Sequence, residues 1–575
     1  MSTFVQITDP VWGSLALSAV VAALPLLVLF VLLGAFRVQA AKASLVAVAL
    51  SIILAIFVWQ MPVGQVFSAT AAGAVYGMFP ILWILINALW VYKLTVATPW
   101  FEALGRTIRS ISDDLRILAV LIAFCFGALL EGLAGFGAPV AITAAMLIAA
   151  GLKPLKAGIV ALLANTAPVA FGAMGSPIIA LSGVTGLELS DLSSMVGRQT
   201  PFVALVVPLL LVFIVDGRRG LRQSWPIALV AGGTFGVAQF VTANYLTVEL
   251  TDVISALATL LVVLLMLRVW QPKELIGVTS DAGAAAPDAP ADGGGAGEGA
   301  SIRTAHTGTI SSAAAKGVDP AAAVGSARPP AREVWFAIVP YLVIIVVFSL
   351  AQLPGIKPWL TEFGGVTFAW PGLDVVDANG NPAASQTFRL DHIRAAGSLL
   401  LISGVITSLV YRMSFRAAAR TYWETLKQLR WTILTVSTVL ALSFVMNLSG
   451  QTASLGLALA ATGGFFAVLS PVLGWIGVAL TGSDTSSNSL FGALQVTAAQ
   501  ETGLSPVLMA ATNSSAGVMG KMLSVQNLAV AAAAIDQHGS EPTLFRKLLG
   551  WSLLLLAFLT IVIVLQASVL SWMVP

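Results

Sequence analysis

Apolar residues run through this chain in blocks, not in alternation. Stretches of about 20 apolar residues recur from Val11 onward, each long enough to cross the hydrocarbon core as a helix. Spans are expected near 11–36, 43–59, 71–93, 157–181, 199–215, 225–244 and 252–268, and again near 333–352, 394–412, 431–449, 505–533 and 548–572, about 12 in all. Lipid gives the backbone no hydrogen-bond partner, so helices are the natural spanning structure. The short alternating segments of a transmembrane barrel are missing. The pattern predicts an all-α polytopic membrane protein. Two further apolar stretches, 117–152 and 470–503, are interrupted by Gly and polar residues. They are expected to be re-entrant hairpins that enter and leave on the same side.

Charge then orients the layout. Basic residues mark cytoplasmic connections. Arg37 and Lys42, Arg106, Arg109 and Arg116, Lys153 and Lys156, Arg218, Arg219 and Arg222, Arg268 and Lys273, the stretch from Arg412 to Arg430, and Arg546 and Lys547 all fall on one side. Glu188, Asp191, Glu249 and Asp252 fall on the other, and both termini close outside. The first span lacks a basic n-region and is too long for a signal peptide, so it reads as retained. Trp12, Trp59, Trp90, Trp225, Trp270 and Trp335 stand near predicted span ends, as an aromatic belt would. The 413–430 stretch reads as an interfacial amphipathic helix, with a plain cytoplasmic connection as the alternative. Residues 271–332, rich in Ala, Gly, Pro, Asp and Ser and containing His306, read as a disordered cytoplasmic linker between a first half, 1–270, and a second, 333–575. Residues 353–393 read as a small polar excursion outside.

Composition agrees with the apolar blocks. Of 575 residues 58% are hydrophobic and 10% charged, where a soluble chain carries about a quarter charged. Cys125 is the single cysteine, so no internal disulfide or Cys-based metal site is available. With three His and no nucleotide or metal motif, nothing points to an enzyme, a cofactor, a metal or nucleic acid.

The two halves repeat an order of motifs. Gly151-Leu152-Lys153-Pro154 follows the first hairpin and Gly503-Leu504-Ser505-Pro506 the second. Asn165-Thr166 and Asn513-Ser514 come next, then Gly172-Ala173-Met174-Gly175 and Gly517-Val518-Met519-Gly520. By the orientation above the copies run in opposite directions, an inverted repeat of the kind on which secondary transporters are built. Small residues at helix contacts are the plainer explanation of such likeness. The Gly and Pro clusters are expected to break both spans, 157–181 and 505–533, near their centres. A broken helix frees N–H groups that favour an anion.

Candidate chemistry gathers at these places. Gly135, Gly137, Ser483, Thr485 and Ser486 lie on the hairpin tips, and Asn165, Thr166, Asn513 and Ser514 on the broken spans. All are candidates for binding a small anion. Glu131, Asp484 and Lys521 are ionisable residues within apolar stretches. Keeping a carboxylate ionised at the bilayer centre costs about 2.5–3.5 kcal/mol, and neutralising an ordinary glutamate at pH 7 costs about 3.7 kcal/mol. The near balance makes Glu131 and Asp484 candidate proton carriers. A cap or salt bridge is the structural alternative for Glu131, and a helix N-cap for Asp484. Lys521 is a candidate counter-charge for substrate, or else a structural partner of Asp484. Ser176 stands at its matching place in the first half.

At these motifs the chain resembles the lactate permease family. FCFGALLEGLAGFGAPVAITAAMLIAAGLKPLKAGIVALLANTAPVAFGAMGSPI is similar to that family's first signature; LGWIGVALTGSDTSSNSLFGALQ and TNSSAGVMGKMLSVQNLAVA are similar to its second. The resemblance implies a bacterial inner-membrane symporter that moves lactate, or in some members glycolate, together with protons. Its partners would be a small monocarboxylate, protons and the bilayer. Sodium coupling is the alternative within transporters. A channel would need rings of like groups along a pore, where here the polar groups cluster.

Overall fold

Helix ends follow local chemistry. Ser14, Ser414, Ser483, Ser505 and Ser524 accept backbone N–H groups of the turns they precede. Left-handed Gly186, Gly450, Gly482 and Gly503 stop helices. The computed structural model of the chain describes residues 3–135, 137–272, 274, 330–378 and 380–575. The linker read at 271–332, with His306, lies outside the described residues apart from its ends.

The architecture is all-α and polytopic. Among the described residues, ten helices are long and apolar enough to cross a membrane, eleven if one bent pair is a single span. The twelve predicted spans differ from these in several ways. Leu115–Leu133 and Gly463–Thr481, read as hairpin arms, are themselves long enough to cross. Ala396–Val410, read as a span, has 15 residues and is short for one. The expected 71–93 span is interrupted, because Phe79 leaves helical geometry ahead of Pro80. Thr200–Tyr245 bends back at Gly217, where φ is 64°, and Gly232 and Gly236 let its second arm lie against Ala204 and Pro201 of the first.

Three surface expectations are corrected. The 413–430 stretch is no separate interfacial helix. It is the first part of Phe415–Ser449, one helix of 35 residues, since nothing between Arg430 and Trp431 breaks it. Trp59 and Trp90 are buried within the protein, where the Trp90 indole donates to the Ala418 carbonyl; Trp12, Trp225 and Trp335 are exposed. Arg116, expected at the cytoplasmic surface, is fully buried and held by Asp114, Asp216 and Gln223. Nearby, on the surface, the Gln223 amide and then Arg219 hold the Glu274 carboxyl below the usual carboxylate range.

The halves interlock. Gly172–Thr185 packs on Asp484–Thr502, and Ala138–Ala149 packs on Val525–Ala534. The densest packing joins Phe466–Thr481 to Pro506–Lys521, allowed by glycines at the contact: a β-carbon on Gly474 would strike Asn513, and one on Gly520 would strike Trp475 and Ala479. At one end of the molecule the Phe4–Val5 strand pairs in parallel with Val375–Val376, and Val366–Ala369 pairs antiparallel with Thr387–Leu390. The amino-terminal strand and the 353–393 excursion therefore share a side.

Candidate functional site

The first half positions its residues by a broken helix. Pro154–Ala164 ends at Asn165, and a 3-10 turn, Val169–Phe171, leads into Gly172–Thr185 at a bend of 62°. Ala173, Met174 and Gly175 are all left-handed, with φ of 44°, 56° and 74°. Gly175 could not carry a side chain, since a β-carbon would sit 2.9 Å from Val248. The right-handed helix resumes only at Ser176 with Pro177, a residue suited to a first turn.

The second half does not copy this. Pro506–Lys521 stays helical through Asn513, Ser514 and the Gly517-Val518-Met519-Gly520 motif, contrary to the central break expected in 505–533. Its glycines serve close packing, not left-handed backbone. The break comes after Lys521, at 522–524, where Asn527 Nδ2 donates to the Lys521 carbonyl at 3.0 Å and Ser524 caps Val525–Ala534. Lys521 thus closes a helix, where a cation suits the dipole.

These pieces line a partly open cavity of about 30 Å³, with residues from the first break, both hairpin tips and the end of the second broken span in its wall. Glu131, Gly135, Ser483, Asp484, Thr485 and Lys521 of the sequence candidates are in its wall, together with Ser176 and Pro177. About 10–15 Å³ of such space admits one water, so the cavity is large enough for water. Two right-handed helices begin at it, one at Ser176 and one at Asp484 behind its Ser483 cap, so two positive helix ends meet there. Asn488 Nδ2 bridges the halves by donating to the Pro177 carbonyl at 3.1 Å.

The charged groups divide differently from the sequence reading. Lys521 pairs with Glu131, not with Asp484. The pair is buried, with Lys521 7% and Glu131 1% exposed. Asn165 Nδ2 donates to the other Glu131 oxygen at 2.9 Å. Asp484 accepts from Ser514 Oγ at 2.5 Å, while its second oxygen is buried without a hydrogen-bond partner among the described residues.

The remaining candidates stand behind the wall. Asn513 Nδ2 donates to Asn488 Oδ1 at 2.9 Å and its carbonyl accepts from Gln495 at 3.2 Å, so it braces the second tip. The Ser486 backbone N–H donates to Ser483 Oγ. Thr166 is buried with its hydroxyl unpartnered among the described residues. Gly137 turns toward Asn527 and Val530. Asp252, expected outside in water, is instead 1% exposed and packed on Gly132. Sequence reasoning missed it because an acidic residue at a span end looks solvated. It missed Ser176 as a site residue, although the repeat sets that residue against Lys521.

Comparison with known proteins bears on what this arrangement serves. The glycolate permease GlcA of Escherichia coli (strain K12) is 40% identical, with all of both chains aligned. The L-lactate permease of Bacillus subtilis (strain 168) is 39% identical over 99% of each chain. These relatives are permeases, which places the chain among transporters and not enzymes. Among solved structures, Neisseria gonorrhoeae MtrF aligns at a TM-score of 0.45 with 11% identity, covering 88% of this chain and 83% of that one; a likeness at that level carries no argument. The family model described as L-lactate permease matches residues 18–570, and the chain belongs to that family.

Proposed function

We propose that the chain carries lactate or glycolate across the bacterial inner membrane, one proton accompanying each anion. The names of its relatives support the substrate class. The observation that carries the coupling is the buried Glu131–Lys521 pair in the cavity wall.

The argument is one of charge balance. A buried pair is tolerated because its charges cancel, and a lone buried charge is costly. A substrate carboxylate that enters and takes Lys521 displaces Glu131 from its counter-charge. Protonation of Glu131 restores neutrality, leaving Lys521 and the substrate as the new pair. The two helix ends at Ser176 and Asp484 favour the anion at the same place. Ser176, Ser483 and Thr485 offer hydroxyls to the substrate, and Asn165 holds the Glu131 side chain at the wall.

The test is uptake of labelled lactate and glycolate into proteoliposomes in sodium-free buffer with an imposed inward proton gradient. Accumulation that follows the gradient is expected. Uptake indifferent to the gradient and dependent on sodium would sink the coupling.

A further inference from the structure

Asp252 is a buried carboxylate that the exchange at Lys521 does not use. Its Oδ1 accepts one long hydrogen bond, 3.4 Å, from Gln239 Nε2. Its Oδ2 is buried with no hydrogen-bond partner among the described residues. Gln239 Nε2 also donates to the Ala167 carbonyl at 3.5 Å, and Thr200 Oγ1, which has one proton to share between the Val196 carbonyl and Gln239 Oε1, lies 2.9 Å from the latter; the amide so placed offers Asp252 its N–H. One weak donor solvates an ionised carboxylate poorly, and an uncharged carboxyl group is less costly to bury there.

Its place in the fold gives this chemistry a direction. Gly132 follows Glu131 directly, and a β-carbon there would lie 3.0 Å from Asp252 Cβ. The missing side chain lets the hairpin arm that bears Glu131 settle on Asp252. The charges of Glu131 and Lys521 both act on Asp252. Of the other packed elements, Thr200–Tyr245 presents the neutral Gln239, its charged residues 216–222 lying at the far end beside Arg116, and Gly172–Thr185 has no charged residue. In the other direction, Asp252 is the second residue of Thr251–Val269, three after the half-buried Glu249, to which Thr247 donates a hydrogen bond. Three carboxyl groups therefore step from the partly exposed Glu249, through the buried Asp252, to Glu131 in the cavity wall.

We infer that Asp252 relays the proton between Glu131 and water at the Glu249 end of the protein. The relay rests on the proton-coupled reading above. Among the described residues no hydrogen bond joins the two carboxyl groups, so the step needs one bridging water. The O–H bond of the Asp252 carboxyl breaks as its proton forms an O–H bond on that water, and the water gives up one of its own protons to form a new O–H bond on the Glu131 carboxylate. Asp252, now ionised, takes a proton from hydronium arriving from the Glu249 side and releases water. Nothing is oxidised or reduced. Glu131, neutral, frees Lys521 for the incoming anion; on release the sequence runs backward.

Two readouts on the full chain in proteoliposomes separate a relay from a structural role. Net uptake driven by a pH gradient needs a proton to enter and leave Glu131 in each cycle. Exchange of labelled for unlabelled lactate at equal concentrations does not, because Glu131 keeps its proton. Asp252→Asn is expected to slow net uptake by roughly 10²-fold and to leave exchange near wild type, with Asp252→Glu recovering net uptake. Equal rates of net uptake in Asp252→Asn and wild type overturn the relay, as does parallel loss of both readouts in a variant present in the membrane. Asp252→Ser is run beside Asn in case the amide misfolds. If neither neutral variant reaches the membrane, the wild-type pH profiles decide: the relay requires net uptake to titrate from the Glu249 side where exchange does not, and identical profiles overturn it. Wild-type uptake indifferent to the proton gradient would instead remove the coupling on which the relay rests, a different result from a gradient-driven transporter unaffected at Asp252.

Discussion

The two halves carry the same ordered motif and put it to different use. In the first, Gly172-Ala173-Met174-Gly175 turns the chain left-handed and starts a new helix at the cavity. In the second, Gly517-Val518-Met519-Gly520 stays in a right-handed helix, and its glycines admit the backbone of Phe466–Thr481. The paired asparagines divide in the same way. Asn165 touches the charged group in the wall, at Glu131; Asn513 touches only neutral amides and a hydroxyl. A glycine supplies two things, access to positive φ and absence of a β-carbon, and each copy of the motif uses a different one. The comparison teaches that a repeat in sequence fixes where small residues fall, while the neighbours decide whether the helix bends. It also sets one cation, Lys521 of the second half, against one carboxylate, Glu131 of the first.

The largest effect is expected where the halves meet in charge. Lys521→Met leaves the Glu131 carboxylate buried without its counter-ion, and losing one member of a buried pair costs about 3–5 kcal/mol. Transport is expected to vanish and thermal stability in detergent to fall. Glu131→Gln leaves Lys521 free to hold the substrate anion, so exchange survives while accumulation against a gradient fails. The double variant Glu131→Gln with Lys521→Met removes both charges and is expected to regain stability without regaining transport. A double variant as unstable as Lys521→Met alone would show that the pair is not what holds the halves together.

A smaller contrast lies in the glycines themselves. A β-carbon on Gly520 would strike the Trp475 carbonyl and the Ala479 backbone nitrogen, neither of which can move without parting two helices. Gly520→Ala is therefore expected to cost about 1–3 kcal/mol. On Gly172 it would lie 2.9 Å from Glu131 Oε1, the far end of a side chain that can shift. Gly172→Ala should depress transport and also lower stability, because the shift carries Glu131 off Lys521 and weakens the buried pair. Melting curves beside uptake rates check both; wild-type stability in Gly520→Ala, or wild-type transport in Gly172→Ala, would erase the difference between the copies.

Much of this was legible in the sequence because charge stands out against apolar surroundings. Glu131, Asp484 and Lys521 interrupt apolar runs, and the structure sets all three around one cavity with Gly135, Ser483 and Thr485. Their partnership was not legible. Glu131 and Lys521 are 390 residues apart, and Asp484 offered a nearer carboxylate that the fold gives to Ser514 instead. Asp252 was hidden for a different reason. It follows Glu249 at the end of a span, where acidic residues normally meet water, and it is buried between the hairpin arm packed on it through Gly132 and Gln239 of Thr200–Tyr245. The position of the second break was hidden because glycine in a motif signals either a bend or a close contact, and only the neighbouring helix tells which.

The smallest expected effect is also the sharpest in sign. Replacing Ala by Gly inside a right-handed helix costs about 0.5–1 kcal/mol, since the freer backbone has more entropy to lose. Ala516 is such a residue, buried in Pro506–Lys521 one position before its motif. Ala173, in the first motif, has φ of 44° and ψ of 55°, a conformation that costs an L-residue about 1–2 kcal/mol and costs glycine little. The methyl group lost at Ala173 offsets part of that relief, as a buried CH₂ contributes about 0.8 kcal/mol. Ala173→Gly is thus expected to be neutral or to stabilise by up to about 1 kcal/mol, and Ala516→Gly, which loses a buried methyl as well, to destabilise by about 1–2 kcal/mol. Denaturation of the two purified variants in parallel with wild type measures the difference directly. Equal destabilisation by both substitutions would mean that Ala173 is helical in the folded protein, and the first motif would then be a packing motif like the second.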